Sequence, residues 1–365
     1  MTKSAAIRGD LEAPVARIER RIDEAIAQMA PYGGSSVWRD AVSAVLAISH
    51  GPRHLVRAQL VLLGSVAGGG APSGERIERF ATGVELLHLF MLVHDDVMDN
   101  ATLRRGKPAL GLAIQAADRT IGWLEARDFA VLMGNMLNVL AMRHLAPGVG
   151  ATSGDVAAFD LLLDACSRAG VGQFHDLLGF QRLGDDEAAL RREILDKTAY
   201  QAFAAPFAAG LVLARPGADP AEAIAWGRSL GLAFQALGDL TDLVAPPAMT
   251  GKDGLRNLLE GRPSLPLLFL HERTTGDDRE LVESIVGKKT MELGERALLA
   301  DLIARHDIVA GCATWVRGEI AVAARVSSTS LFAREAKEGM AAVEQSLLEH
   351  LDEVVAHAAR WRDED

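Results

Sequence analysis

The chain has 365 residues, of which 49% are hydrophobic and 5% are aromatic, so it can bury a sizeable core as one large domain or two ordinary ones. A formal net charge of −11, without any long basic stretch, argues against nucleic acid as a partner. The only cysteines, Cys166 and Cys312, are far apart in the sequence, which argues against a zinc site or a disulfide framework and favours a reducing compartment.

The sequence also argues against export and membrane insertion. Its N-terminus is charged and lacks the apolar region of a signal peptide, and no apolar run is long enough to form a transmembrane segment. We therefore expect a cytoplasmic protein. Ala, Leu, Glu and Arg dominate and runs of β-branched residues are few, which predicts an all-α protein.

Apolar spacing and Gly or Pro breakers predict the helices in chain order. Residues 1–14 have the character of a loose tail, and Ser73 is placed to cap the helix that follows it. The chain contains no internal repeat and no low-complexity linker, so we expect one helical-bundle domain with a central cavity over residues 1–365. The predicted helices cover residues 15–29, 37–48, 55–66, 75–99, 109–117, 126–145, 154–168, 170–182, 186–214, 219–243, 265–273, 277–286, 291–307, 309–325 and 330–360, with a turn over 104–108.

A cluster of carboxylates ends the long apolar run of the fourth predicted helix. Asp95 and Asp99 are one helical turn apart, and Asp96 lies beside them. Clustered carboxylate oxygens suit Mg²⁺, which bridges carboxylates to substrate phosphates. Arg104 and Arg105 follow closely and offer planar donors to a diphosphate. A solvated acidic helix end is the alternative, and the apolar run before the cluster argues against it.

Further polar residues interrupt other apolar helices. His88 lies two turns before Asp95 on the same helix face, where it is either a core histidine or a functional one. Gln173 and Asp176 share a helix face. Lys197, followed by Thr198, stands in an apolar stretch. If Lys197 is buried it needs an anion such as a ligand phosphate, and a surface lysine on an amphipathic helix is the alternative.

A second, weaker acidic site follows. Gln235, Asp239 and Asp242 recur at i, i+4 and i+7 on an apolar helix, and this polar stripe could face the first cluster across a cavity. Beyond a Pro-rich turn, Lys252 and Arg262 lie in a Gly-rich loop of the kind that closes over a phosphate.

From about residue 51 to 266 the chain resembles the trans-isoprenyl diphosphate synthases (polyprenyl synthetases). Four motifs carry the resemblance, together with a closing-loop Lys and a small hydroxyl: DDxxD followed by RRGxP (Asp95, Asp96, Asp99, Arg104, Arg105, Gly106, Pro108), GQxxD (Gln173, Asp176), KT (Lys197, Thr198), FQ (Phe234, Gln235), Lys252 and Ser264. The chain also departs from the family pattern. Gly238 replaces the first Asp of a second DDxxD motif, and Asn257 replaces the Asp of the closing loop. In the family's GGKxxR motif the final Arg is kept as Arg57, but His54 stands in place of Lys, and Arg53 is a candidate substitute.

The resemblance implies the isoprenoid synthase fold, a homodimer and a Mg²⁺-dependent condensation of isopentenyl diphosphate with an allylic diphosphate. Two or three Mg²⁺ ions would be held by Asp95, Asp96, Asp99, Asp239 and Asp242. The allylic diphosphate would contact Arg104, Lys197 and Lys252, while Gln235 and Thr198 would offer dipoles to the carbocation. Isopentenyl diphosphate would be held by Arg57, Arg105, His88 and either Arg53 or His54.

In the family, side chains one turn before the first motif set product length. Here these are Phe90 and Met91, which favour geranylgeranyl diphosphate over farnesyl diphosphate. Gly238 and His54 leave open an enzyme of altered outcome, by irregular coupling or cyclisation, and a non-catalytic partner subunit is a further alternative. The RRGxP arginines argue against a cyclase, and the intact first motif argues against a non-catalytic subunit.

Overall fold

The protein is almost entirely α-helical, as the composition predicts. The computed structural model describes residues 11–49, 55–104, 106–179, 186–244, 254–288, 290–291 and 293–359. Its first helices are α1 (Glu12–Ala27), α2 (Ser36–Ser49), α3 (Val56–Ala67), α4 (Glu75–Met98), α5 (Leu110–Ala117), α6 (Trp123–Leu145), α7 (Ser153–Leu178) and α8 (Glu187–Ile194). They are followed by α9 (Ala205–Ala214), α10 (Ala221–Val244), α11 (Arg256–Glu260), α12 (Leu265–Arg273), α13 (Gly276–Ile285), α14 (Leu293–Arg305), α15 (Ile308–Thr329) and α16 (Arg334–Ala358).

Four short elements complete the secondary structure of the described residues. Ala30–Tyr32 forms a 3₁₀ turn, and Leu195–Ala204 forms a π-helical segment between α8 and α9. Strands β1 (Leu103–Arg104) and β2 (Lys107–Pro108) pair antiparallel, so the predicted turn over 104–108 is a small hairpin. Within the described ranges, no helix is both long and apolar enough to cross a membrane.

Two local predictions were wrong. Gly170 does not end a helix, because α7 runs without a break from Ser153 to Leu178. A single exposed Gly inside a helix costs only about 1 kcal/mol, which the rest of a long helix offsets. Ser73 does not cap α4. The N-cap is Gly74, whose backbone N–H donates to the carboxylate of Glu78 at 3.1 Å.

The contacts between Cα atoms divide the chain into two compact units. The described residues up to Phe159, together with Ala209–Ala218, form the N-terminal unit. Asp160–Ala208 and the described residues from Asp219 onward form the C-terminal unit. A single domain over the whole chain stays a prediction.

Helix α4 is the central helix of the N-terminal unit. It packs against α1, α3 and α6, and every residue from Phe80 to Leu87 is buried. At its N-terminal end, Glu78 accepts three hydrogen bonds from Arg17 of α1. This ion pair and the apolar packing fix α4 inside the unit, so the acidic residues at its far end project from a rigid element.

Helix α10 has the same role in the C-terminal unit. It packs against α15, α16 and the π-helical segment. Trp226 is fully buried, stacks 4.6 Å from Phe207, and donates from Nε1 to Glu344 at 2.8 Å. Gly227 and Gly231 let α10 approach the π-helical segment closely, because a Cβ at either position would lie 2.5 Å from a Cα of that segment.

Candidate active site

The first acidic motif ends α4 and is paired with an arginine of the hairpin. Arg104 Nε donates to Asp96 Oδ1 at 2.7 Å, and Arg104 Nη2 lies 3.3 Å from Asp95 Oδ2 and also contacts Asp96. Asp96 and Arg104 are largely buried, with side-chain exposures of 5% and 13%. Burial alone would lower the pKa of Arg104, but the hydrogen bonds that Arg104 donates to Asp96 and the charges of Asp96, Asp95 and Asp99 raise that pKa above its ordinary value.

The hairpin brings Arg104 back to α4. After the helix ends, Asn100 adopts a left-handed backbone conformation with φ +50°. The Ala101 N–H then donates to the Asp96 carbonyl oxygen at 2.9 Å. Gly106 turns the hairpin at φ +75°, a left-handed conformation that Gly adopts readily. Lys107 donates to the Ala47 carbonyl oxygen at 2.6 Å, which ties the hairpin to α2. Arg105 lies outside the described residues.

These residues fit magnesium that arrives with a diphosphate. Two carboxylates already converge on one cationic group, so oxygen ligands for a cation are in place. In the part of the chain that the structure describes, no three His, Cys, Asp or Glu side chains are arranged to hold a metal by themselves. Mg²⁺ usually binds one or two carboxylates, and substrate phosphates and water complete its shell. The first motif offers that partial set.

Arg57 and His88 are carried by two helices that are joined at a buried contact. Glu85 of α4 is 5% exposed and accepts the Ala58 N–H of α3 at 2.8 Å. This bond fixes the first turn of α3, which carries Arg57, to the part of α4 that carries His88. Glu85 was missed at the sequence level, although a carboxylate inside an apolar run was a usable signal. Arg53 and His54 lie outside the described residues.

The last turns of α4 before the aspartates are only partly buried. Phe90 and Met91 are half-buried, in contrast to the continuously buried stretch before them. The Phe90 ring meets His94 edge-on with centroids 4.6 Å apart, and His94 Nε2 lies 3.2 Å from the Val131 carbonyl oxygen on α6. Gly134 makes room for His94, because a Cβ there would lie 2.6 Å from Nε2. Sequence reasoning did not identify His94.

In the C-terminal unit, Lys197 and Thr198 lie in the π-helical segment, a rare element that is frequent at functional sites. Gly172 of α7 lets the two backbones touch, since a Cβ there would lie 2.5 Å from the Lys197 Cα. One turn further along α7, Asp176 Oδ2 lies 2.6 Å from Lys197 Nζ and also accepts from Arg262. Lys197 is 26% exposed, so it is neither fully buried nor an ordinary surface lysine.

The second acidic site is buried and hydrogen-bonded. Asp239 is 4% exposed, and its Oδ1 accepts from Gln235 Nε2 at 2.9 Å and from Asn257 Nδ2 at 3.1 Å. Burial raises the pKa of Asp239 to about 7, and the charge of Asp242 adds to this rise. Asp242 Oδ2 accepts the Asn257 backbone N–H at 2.9 Å. Gly238 is exposed, and a Cβ there would meet no atom within 4 Å. Lys252 lies outside the described residues.

Two further polar residues of this unit deserve a place among the candidates. Glu193 is 5% exposed, and burial raises its pKa to about 8. Its position four residues before Lys197 was the signal that sequence reasoning did not use. Gln173, which the sequence did indicate, has a buried Nε2 without a hydrogen-bond partner among the described residues. An unsatisfied buried amide marks a place where a ligand acceptor would be stabilised.

Comparison with known proteins identifies the family. The sequence matches the profile of the Polyprenyl synthetase family over residues 42–302. It is 32% identical over 251 residues to a short chain isoprenyl diphosphate synthase of Methanothermobacter thermautotrophicus, covering 68% of this chain and 70% of that protein. It is 31% identical over 263 residues to a geranylgeranyl diphosphate synthase of Mycobacterium tuberculosis, covering 72% of this chain and 69% of that protein.

The fold is also shared with solved structures. A polyprenyl synthase of Caulobacter crescentus, solved with calcium and isoprenyl diphosphate, superposes with a TM-score of 0.76 at 22% identity, covering 93% of this chain and 95% of that one. The names of other relatives include geranylfarnesyl and octaprenyl diphosphate synthases and a heptaprenyl diphosphate synthase component 2. These names differ in product length and agree in chemistry. Polyprenyl synthetases are magnesium-dependent prenyltransferases, and the chain belongs to this family.

Proposed function

We propose that this polyprenyl synthetase condenses isopentenyl diphosphate with an allylic diphosphate, and that its main product is geranylgeranyl diphosphate. The observation that carries the proposal is the arrangement at the end of α4. There Asp95 and Asp96 converge on Arg104, and the half-buried Phe90 and Met91 lie in the turns just before them.

The acidic motif and the basic residues Arg104 and Lys197 act on the diphosphate of the allylic substrate. Asp95, Asp96 and Asp99 would hold magnesium, which would supply positive charge to the leaving diphosphate. When the diphosphate enters, Arg104 transfers one or more of its donors from the carboxylates to phosphate oxygens, which suits a planar, permanently charged group. The motif position of Lys197 assigns it to the same diphosphate.

Other groups stabilise the carbocation and bind the second substrate. The side-chain amide N–H of Gln235 donates to Asp239, so the side-chain carbonyl oxygen of Gln235 is available to face a positive charge. The Thr198 hydroxyl would offer a second dipole. Isopentenyl diphosphate is held by Arg57 and His88, with Arg105 and either Arg53 or His54 completing the set. The new C–C bond forms when its alkene attacks the allylic carbon, and the released diphosphate accepts the proton.

Product length is assigned to Phe90. Its ring is braced by His94, and His94 is braced in turn by the α6 backbone. A braced aromatic ring one turn before the metal ligands would limit the growing chain, whereas the neighbouring Met91 is flexible and leaves more room. One rigid ring beside one adaptable side chain favours the twenty-carbon product over the fifteen-carbon one.

We also propose a homodimer formed through α6. This helix exposes Leu124, Leu132 and Val139, whose side chains are 70%, 56% and 50% accessible. Exposed apolar residues that recur along one helix indicate a protein partner. A second copy of the chain would cover them symmetrically. Sedimentation at several concentrations would test this, and a monomer at micromolar concentration would refute it.

The function is tested by incubating the purified protein with Mg²⁺, isopentenyl diphosphate and each short allylic diphosphate, then identifying the products by mass spectrometry. We expect a twenty-carbon diphosphate, its loss in EDTA, and a fall in turnover of at least about 100-fold for Asp96→Asn. Asp277→Asn, an exposed Asp on α13, is the matched control and should retain full turnover.

The same assay separates the alternatives. A hydrocarbon formed without isopentenyl diphosphate would identify a cyclase. A product with an irregular linkage would identify altered coupling, for which Gly238 and His54 are the reason. Absence of product with every primer would favour the partner-subunit role that the component 2 relative suggests, and would refute the proposed condensation.

A further inference from the structure

The segment from Gly254 to Ser264 directly precedes α12 in the C-terminal unit and includes the short helix α11. Its second residue, Leu255, is the N-cap of α11, and the Leu255 N–H donates to the Asp242 carbonyl oxygen at 2.7 Å. Leu255 is at φ +66°, a left-handed conformation that is unusual for a residue other than Gly. Such a conformation persists only where surrounding contacts over-determine it. The Leu255 N–H bond to Asp242 is one such contact, and the next residues along the segment add the contacts of Asn257.

Asn257 makes polar contacts with both acidic residues of α10 and with Arg262. Its backbone N–H donates to Asp242 Oδ2 at 2.9 Å, and its side-chain Nδ2 donates to Asp239 Oδ1 at 3.1 Å. Its carbonyl oxygen accepts the Arg262 N–H at 2.8 Å. Asn257 therefore attaches the segment to both acidic residues of α10 and also closes the segment on itself.

The side-chain amide is the part of this arrangement that an aspartate could not reproduce. An ionised carboxylate only accepts hydrogen bonds, so a carboxylate at position 257 would face the Asp239 carboxylate with no donor between them. The two groups would then need a shared proton or a bridging cation. With Asn in this place the contact is a charge-assisted hydrogen bond, which is among the stronger kinds.

Position 238 of α10 also lacks the carboxylate of the family motif, as position 257 does. Gly238 is exposed and its missing side chain would point into open space, so no steric reason excludes a carboxylate there. The adjacent Asp239 instead points inward, 4% exposed, with donors from Gln235, Asn257 and the Leu265 backbone. The carboxylate that remains is thus engaged by three hydrogen bonds from protein groups.

We propose that Asn257 is a positioning residue that holds the 254–264 segment on α10 by hydrogen bonds, so that this segment is assembled without magnesium. The effect of Asn257 on catalysis rests on the proposed function. The reason is that the same segment carries Arg262 and Ser264 of the predicted closing loop. Arg262 is fixed in turn by Asp176, which also binds Lys197. Asn257 therefore acts on the reaction through these neighbours.

The test is hydrogen–deuterium exchange of peptides from the 254–264 segment, measured in EDTA and in Mg²⁺ with inorganic pyrophosphate. Wild type should be protected in EDTA. Asn257→Ala loses the donor, and Asn257→Asp adds a repelling charge, so both should exchange at least about tenfold faster in EDTA. Only Asn257→Asp should regain protection with Mg²⁺ and pyrophosphate, because a divalent cation can bridge two carboxylates.

Gln345→Glu is the matched control. It makes the same one-unit charge change at an exposed site on α16, and it should exchange like wild type in this segment. A merely structural role would not change the metal requirement. We expect the Mg²⁺ concentration for half-maximal turnover to rise by up to about tenfold in Asn257→Asp, and to stay unchanged in the control.

Two results would overturn the inference: a wild-type segment protected only when Mg²⁺ is present, or both Asn257 variants exchanging like wild type in EDTA. The exchange experiment requires no turnover, so its failure is distinct from failure of the proposed function. Product formation with unaltered exchange in the variants refutes the role of Asn257 alone. Altered exchange in a protein that makes no product refutes the proposed function alone.

Discussion

The contact between α4 and α6 at Gly134 gives the sharpest stability prediction, because it lies beside the first acidic motif. In Gly134→Ala the new Cβ would lie 2.6 Å from His94 Nε2, about 1 Å inside an ordinary van der Waals contact. The imidazole has little room to move, because Nε2 contacts the Val131 carbonyl oxygen at 3.2 Å and Phe90 lies against the ring at 4.6 Å.

The magnitude follows from three effects. Overpacking typically costs about 1–3 kcal/mol, and loss of the contact between His94 and Val131 adds about 1 kcal/mol. Ala in place of Gly inside a helix returns about 1 kcal/mol. We therefore expect Gly134→Ala to lower the free energy of unfolding by about 1–3 kcal/mol, which corresponds to a fall in Tm of roughly 2–6 °C.

Thermal and urea unfolding provide the assay, with Gly318→Ala as the matched control. Gly318 is exposed inside α15 and a Cβ there meets no atom within 4 Å, so this variant should gain about 0.5–1 kcal/mol. In the His94→Ala background, Gly134→Ala should be less destabilising by at least about 1 kcal/mol, because the clashing ring is gone. Additive effects of the two substitutions, or a Gly134→Ala protein as stable as the control, would refute the reasoning.

Two further predictions concern the N-terminal unit. Phe90→Ala should lengthen the main product by at least one isoprene unit, measured by mass spectrometry of the prenyl diphosphates, and an unchanged product distribution would remove Phe90 from the floor of the cavity. Burial alone would raise the pKa of Asp155, but hydrogen bonds from Arg76 and Thr152 lower it to about 2. Because this pKa is depressed in the folded state, the contribution of Asp155 to stability is present above its ordinary pKa of 3.8 and is lost as pH falls toward 2. Asp155→Ala should flatten the stability-against-pH curve over that interval, and an unchanged slope there would contradict the assignment.

Magnesium is expected to act unequally on the two acidic sites. Asp95 and Asp96 share one arginine, whose donors a phosphate can attract away from them. Asp239 is instead enclosed by donors from two side chains and a backbone N–H, and its raised pKa reflects the burial of the charge. We therefore expect the first site to dominate metal binding, so that two ions rather than three suffice for turnover.

The sequence by itself determined the fold class, most helix positions and the first acidic site. These features depend on local order: apolar spacing defines a helix face, and three aspartates within one turn are neighbours on any helix. The helix over 265–273 was predicted with the bounds it has in the structure, and α4 ends one residue before its predicted end. The turn over 104–108 was likewise predicted, and the structure shows that it is a small hairpin.

Only the tertiary structure decided which distant residues meet. The contacts of Asp176 with Lys197 and Arg262 join residues that are far apart in the chain, and the first of them depends on Gly172 letting two backbones touch. The π-helical segment and the buried state of Asp239 are equally non-local, because packing against neighbouring elements sets both. Residue identities thus supplied the chemical groups, while the packing of α7, α10 and the 254–264 segment determined which carboxylates are engaged by protein donors.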